Sequence, residues 1–246
     1  MYKHTNSASR LHTLLRTAQQ QPDIATYQVW STVFEVQEKD EQKKAEFVLS
    51  HLHWLHLEVE ILEQQVKTKG LSPHLYDGAF SRIRQIISPL NLAAGWQGYK
   101  GNLTPDVLLA LAFLNELLPD EESGIDELEL NEILSQVQEL AELLRHSTLP
   151  DRLQKLVAHH LNLIREAISR YPVSGAKALR EAGRAALGEI VEVKDEVSKS
   201  QSSPEIQALG KLWRRVNSTA DTALKAEQVY QLGTKAWDAL LTWIQN

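Results

Sequence analysis

Apolar side chains recur along this chain at alternating steps of three and four, the period of a helix that buries one face. Val48, Leu52, Leu55, Val59, Leu62 and Val66 form one such stripe, and Phe47, Trp54, Leu57 and Ile61 widen it. That width predicts a long central helix packed on two sides. Ile125, Leu128, Ile133, Val137, Leu140 and Leu144 form a second stripe, with acids on the opposite face. Leu153, Leu156, Val157, His160, Ile164 and Ile168 form a third, and Leu209, Leu212, Val216, Ala220 and Ala223 a fourth. Trp237, Leu240, Leu241 and Ile244 close the chain with a fifth. Helix starts are marked where a hydroxyl precedes a proline, at Ser72-Pro73, Thr104-Pro105 and Ser203-Pro204, and more loosely at Thr148-Leu149-Pro150-Asp151. The hydroxyl accepts from an orphaned backbone N–H, and the proline lacks the donor that would go unpaired there. Ser174, after Tyr171-Pro172, marks the end of one helix and the start of the next. Strand signals are scarce. The pattern predicts an all-α fold, a multi-helix bundle of about nine helices joined by short connections.

Within that bundle the least helical stretch is Asn91 to Asn102, which holds Gly95, Gly98 and Gly101. It is the predicted boundary between two packed helical subdomains, an N-terminal bundle over residues 1–95 and a C-terminal one over 102–246. The polar segment Ser198 to Ser203 is a second weak point. No internal repeat is visible.

The helices from Ile125 to Tyr171, followed by Val173-Ser174-Gly175-Ala176 with Leu179, Ala182, Leu187 and Gly188, resemble uncharacterised helical proteins of many bacterial genomes. The resemblance covers about a quarter of the chain and rests on apolar positions. It implies a stand-alone helical protein of a bacterial cell, and it implies no activity.

Composition narrows the class. With 246 residues, 43% of them hydrophobic and 24% charged, the chain is long and apolar enough to bury a core. It has no cysteine, which excludes disulfides, thiolate metal sites and cysteine nucleophiles and fits a reducing compartment. The start, Met1 to Asn6, is polar and leads into no signal-type apolar core. The longest apolar run, Val107 to Leu114, is too short to cross a bilayer. A cytoplasmic protein with no membrane contact and no cofactor is expected.

Charge changes the picture more. The net charge of −6 conceals segments of +1 over residues 1–103, −11 over 104–142 and +4 over 143–246. The middle segment carries eleven acids and no base. Carboxylates near a helix N-terminus are stabilised by its dipole, but eleven exceed that need. Glu121, Glu122, Asp126, Glu129 and Glu132 are therefore candidates for an outward negative surface that docks a basic protein partner. The competing expectation is neutralisation by Arg145, Arg152, Arg165 or Arg170. Trp96 and Tyr99, set among glycines, are candidates for the same contact, since exposed aromatics serve as binding hot spots. Against that stands the expectation that they plug the seam between the two bundles.

Catalytic and metal signatures are sparse. On one helix face His53, His56 and Glu60 have the spacing of a chelating set, although a structural zinc needs four ligands and that face is polar in any case. Arg152 and His159, with six residues between them, resemble the active-site pair of helical HEPN-type ribonucleases. That resemblance implies phosphate stabilisation by the arginine and proton transfer by the histidine at a ribose 2′-hydroxyl. Leu153 stands where that family prefers a polar residue. Next to them, His160 falls in an apolar stripe and is expected in the core with a hydrogen-bond partner. Lys211, Arg214 and Arg215 flank Trp213, a basic-aromatic cluster smaller than the basic surfaces that usually bind nucleic acid. No nucleophile elbow, phosphate loop or dinucleotide fingerprint is present. The preferred expectation is a non-enzymatic interaction or regulatory module, such as an immunity protein or a defence-complex subunit. The alternative is a HEPN-like ribonuclease or another nucleic-acid-acting protein.

Overall fold

The protein is all-α. A computed structural model describes residues 5–225, which form eleven α-helices and two short 3₁₀ turns. The stripe at Trp237, Leu240, Leu241 and Ile244 lies outside the described residues. The described residues divide into two compact units, residues 5–121 with 172–175, and residues 122–171 with 176–225.

The first unit contains α1 (Ser7–Gln19), α2 (Thr26–Val33), α3 (Glu41–Thr68), α4 (Asp77–Ile86), α5 (Gln97–Lys100) and α6 (Pro105–Leu117). Its centre is α1, which packs on α2, α3 and α6 and buries Leu11, Leu14, Leu15 and Ala18. The predicted stripe of α3 is buried from Val48 to Val66. Its widening residues are not: Phe47, Trp54 and Leu57 are half-buried and Ile61 is exposed, so α3 packs chiefly on one face. Asn6 secures both ends of a helix pair. Its Oδ1 accepts from the Ser9 N–H at 3.1 Å in a reciprocal capping box. Its Nδ2 donates to the carbonyl oxygens of Asn115 and Leu118 at the end of α6.

A charged cluster lies inside this unit. Arg10 of α1, almost wholly buried, donates from one terminal nitrogen to Glu121 Oε2 at 2.5 Å, with Glu58 Oε2 of α3 at 3.5 Å. Its Nε donates to the carbonyl of Val173 at 3.1 Å. Ser7 Oγ lies 2.9 Å from Glu58 and 2.9 Å from Glu121. Gln65 Nε2 donates to Glu121 at 3.2 Å. An unpaired charge at such depth costs several kcal/mol, so the set stands or falls together.

The glycine-rich stretch is not a boundary. It lies within the first unit, and the division falls between Glu121 and Glu122. Trp96 is fully buried there, donating from Nε1 to the Ala18 carbonyl at 3.1 Å and packing edge-on against Trp30. Residues 24–26 pair with 94–96 through an antiparallel bridge, with Trp96 N–H to Ile24 O at 2.8 Å and Thr26 N–H to Ala94 O at 2.9 Å. The expected boundaries at 95 and 102 are thus corrected: α6 supplies Val107, Leu111 and Leu114 to this same core.

The second unit contains α7 (Glu127–Arg145), α8 (Asp151–Ser174, its last turn grouped with the first unit), α9 (Lys177–Glu192), α10 (Lys194–Lys199) and α11 (Pro204–Ala223). Their stripes meet in one core that includes Ile133, Val137, Leu153, Val157, Ile164, Leu179, Leu212 and Val216. Two helix signals, both in the first unit, act differently from expectation: Ser72 makes no capping bond and opens only the 3₁₀ turn Pro73–Leu75, and Thr104 is engaged elsewhere. Thr104 makes no capping bond, because its hydroxyl accepts from Arg82 at 2.7 Å. Ser174 ends α8 as its position after Tyr171-Pro172 predicts, with Pro172 inside the last turn and Gly175 beyond it in the left-handed region at φ 67° that favours glycine. Helices α9 and α11 cross at Gly183, where a Cβ would fall inside van der Waals contact with the buried Asn217 side chain.

Two stability measurements follow. Arg10→Ala lowers the unfolding free energy by about 3–5 kcal/mol in urea titrations, while Arg82→Ala, which breaks the exposed pair with Asp106, lowers it by less than about 1 kcal/mol. Gly183→Ala, normally favourable in a helix, instead costs about 1–3 kcal/mol, because Asn217 is held by its bond to the Trp213 carbonyl.

Candidate functional site

The acidic segment resolves into carboxylates with different tasks. Glu121 belongs to the Arg10 cluster. Glu122, 3% exposed, accepts from the Ala176 N–H at the start of α9, where the helix dipole favours a negative charge. Neither is a surface group, and their expected role in partner binding is corrected. A carboxylate beside a buried guanidinium or an orphaned helix donor is consumed by its own fold.

Asp126, Glu129 and Glu132 remain on α7. Asp126 caps it, accepting from the Leu128 N–H at 3.0 Å, and stays exposed. Glu129 accepts from the Thr219 hydroxyl of α11, and Glu132 pairs with Arg215 of the same helix. The pairs 129–219 and 132–215 set α7 and α11 antiparallel. Glu127 has no partner among the described residues, Glu139 accepts only a 3.4 Å bond from Ser135, and Glu142 pairs with Arg145 one turn on. Leu128, expected in the apolar stripe, is instead 71% exposed beside Glu127. The outward face of α7 is therefore acidic with an apolar residue at its head.

Beside the 132–215 pair, α7 and α11 line a groove of about 480 Å³. Its floor and walls are Leu140 and Leu143 of α7 and Ala208 and Leu212 of α11. Glu139 stands on one rim and Lys211 on the other. The sequence gives no local sign of this groove, because it arises from residues about 70 positions apart.

The candidate catalytic pair is brought onto one helix face but not toward a cleft. Arg152 pairs with Glu196, and His159 Nε2 lies 3.1 Å from Glu189 Oε1. Arginine and histidine are seven positions apart on α8, as are their partners on α9 and α10. The spacing that resembles a ribonuclease motif is thus the register of an antiparallel ladder of side-chain contacts to carboxylates. Carboxylates at both positions would repel a phosphate.

Beside it, His160 is fully buried and fulfils its expected role in the core. Trp213 Nε1 donates to His160 Nδ1 at 3.1 Å, and an indole N–H can only donate, so the ring proton sits on Nε2. That nitrogen lies 3.2 Å from Glu189 Oε2, off the hydrogen-bonding direction. Burial pushes the His160 pKa down to about 4, against the opposing pull of the Glu189 carboxylate. Trp213 is likewise buried, so the basic residues around it offer no exposed aromatic for stacking on a base.

The remaining candidates also separate. His56 donates from Nδ1 to the Leu52 carbonyl at 3.0 Å, and His53 lies against Trp54. His53, His56 and Glu60 form no chelating set, and no three such groups converge on a metal position among the described residues. Trp96 is consumed by the first unit's core, which removes it from the partner-binding candidates. Tyr99 is half-buried and lines a cleft of about 650 Å³ with Ser81, Arg84 and Ser88. No helix among the described residues is long and apolar enough to cross a membrane.

The histidine environment gives a pH dependence. His160 binds a proton in the unfolded chain near pH 6.5 but in the fold only near pH 4. Its contribution to stability is complete above pH 6.5 and is lost as pH falls toward 4, at no more than about 1.4 kcal/mol per pH unit. Burial lowers the pKa of His12 as well, adding a loss of the same sign. Urea titrations of His160→Gln, which keeps an acceptor for Trp213, show a shallower decline between pH 7 and 4.5 than the parent protein. An unchanged slope contradicts the assignment. No protein family, curated protein or solved structure matches the chain.

Proposed function

We propose that this chain is a non-enzymatic interaction module that holds a basic partner protein against the outer face of α7. The observation that carries this reading is the exposed set Asp126, Glu127, Glu139 and Glu142, with Leu128 beside it, on a helix whose sole base is Arg145. Such a face attracts a cation-rich surface over a Debye length, steers its approach, and adds apolar contact at Leu128 once docked. Glu129 and Glu132 serve this surface indirectly, since Thr219 and Arg215 hold them along the α11 side. Neutralising a bacterial toxin or joining a defence or regulatory complex would use a body of this kind. The ladder of Arg152 and His159 with carboxylates weighs against the ribonuclease alternative.

The test is capture from a bacterial lysate on the immobilised full chain, with bound proteins identified and counted. A basic protein is captured at 50 mM salt and released as salt rises to 500 mM. The combined variant Asp126→Lys, Glu127→Lys, Glu139→Lys and Glu142→Lys captures it at least tenfold less, while its circular dichroism spectrum is unchanged. Capture that withstands those substitutions, or no capture at low salt, refutes the reading.

A further inference from the structure

We infer that the groove between α7 and α11 receives an amphipathic helix of the partner, two to three turns long, seated by its apolar stripe and aligned by charges on its two flanks. This rests on the reading of α7 as the partner-binding helix and adds the form of the bound element. The groove spans Gln136 to Leu143, seven rises of an α-helix or about 10 Å, which is the length of two turns. A volume of about 480 Å³ admits three or four aliphatic side chains, the number that positions i, i+3, i+4 and i+7 present on one face. Leu140 and Leu212 make a floor already packed into the core, while Leu143, 37% exposed, offers its side to an occupant. Ala208 keeps the opposite wall low; a large side chain there fills the space.

Charge complementarity fixes the occupant's chemistry. The α7 rim is negative through Glu139, which has only a weak bond from Ser135 and no cationic partner among the described residues, and Glu142 continues that flank. The α11 rim is positive through Lys211, which has no ion pair among the described residues. Arg215 at the groove's end is engaged by Glu132 and adds little free charge. A helix lying between rims of opposite sign needs lysine or arginine along its α7 flank and an aspartate or glutamate toward Lys211. A second copy of α7 carries acids on its outer face and meets only the second of these needs.

The probe is a synthetic 14-residue helical peptide with leucines at i, i+3, i+4 and i+7, lysines on one flank and one glutamate on the other. Its fluorescence anisotropy is titrated with the full chain. The mixed-flank peptide binds at least tenfold more tightly than an otherwise identical peptide with both flanks acidic. Leu143→Glu, at an exposed position that leaves the fold intact, and Ala208→Arg each weaken it at least tenfold. Lys211→Glu reverses the preference, favouring a peptide with lysines on both flanks over the mixed one. Absence of binding, or binding indifferent to Leu143→Glu and Lys211→Glu, overturns the inference. So does a dimer in sedimentation velocity that Leu143→Glu dissolves, because the occupant is then a second copy. If lysate capture persists through α7 while the peptide fails to bind, the groove inference alone falls; if capture is also absent, the interaction reading falls with it.

Discussion

The buried guanidinium of Arg10 is the interaction around which the first unit is organised. A cation cannot be held at that depth without carboxylates, and the chain supplies two, Glu58 from α3 and Glu121 from the segment after α6. That demand draws Glu121 out of the acidic run. It is reinforced by backbone bonds, since the Glu121 N–H donates to the Thr5 carbonyl at 2.9 Å and the Thr5 N–H donates to Asp120 at 3.2 Å. The next residue, Glu122, meets a different need at the head of α9. Adjacent acids in sequence thus serve two separate folding requirements.

The eleven acids of residues 104–142 therefore sort by what they oppose. Asp106 faces Arg82, Glu121 faces Arg10, Glu132 faces Arg215 and Glu142 faces Arg145. These pairs are unequal. The Arg10 set is shielded from water and its loss leaves a buried charge, whereas the pairs on α7 stand in solvent, where screening reduces each to a few tenths of a kcal/mol. A competing cation can exchange into an exposed pair at little cost. Geometric pairing within the molecule thus leaves the exposed carboxylates open to exchange with another cation.

Much of the architecture was legible because helical periodicity is local. The α3 stripe from Val48 to Val66 buries as its spacing predicts, His160 lies in the core, and Ser203 caps α11 ahead of Pro204. What misled was chemistry decided by distant partners. Glu121 and Arg10 are 111 positions apart, and nothing near Glu121 announces its burial. The glycines around Trp96 predict a boundary between subdomains, yet the indole is covered by α1 and Trp30. Arg152 and His159 were matched to a catalytic spacing when the same interval recurs between Glu189 and Glu196, a correspondence visible in the sequence once α8 and the helices after it are taken as antiparallel. Leu128 continued a stripe by period, but it stands in the first turn of α7, beyond the reach of the core.

The helix dipole divides the acids of α7 into those the fold explains and those it does not. Asp126, Glu127 and Glu129 lie at the N-terminus, where negative charge is favoured by up to about 1 kcal/mol each. Of the two later acids, Glu142 lies in the last turn, where the same dipole opposes it, and Glu139 stands before that turn. They also stand three residues apart on one face, a like-charge spacing that costs about 0.2–0.5 kcal/mol. Arg145 offsets part of this for Glu142, and nothing comparable does so for Glu139. A small cost retained at the rim of an apolar groove, opposite a lysine with no ion pair among the described residues, has no return among those residues. It is recovered if a cationic flank comes to lie against Glu139, since burial by a docked helix strengthens that attraction as it removes water.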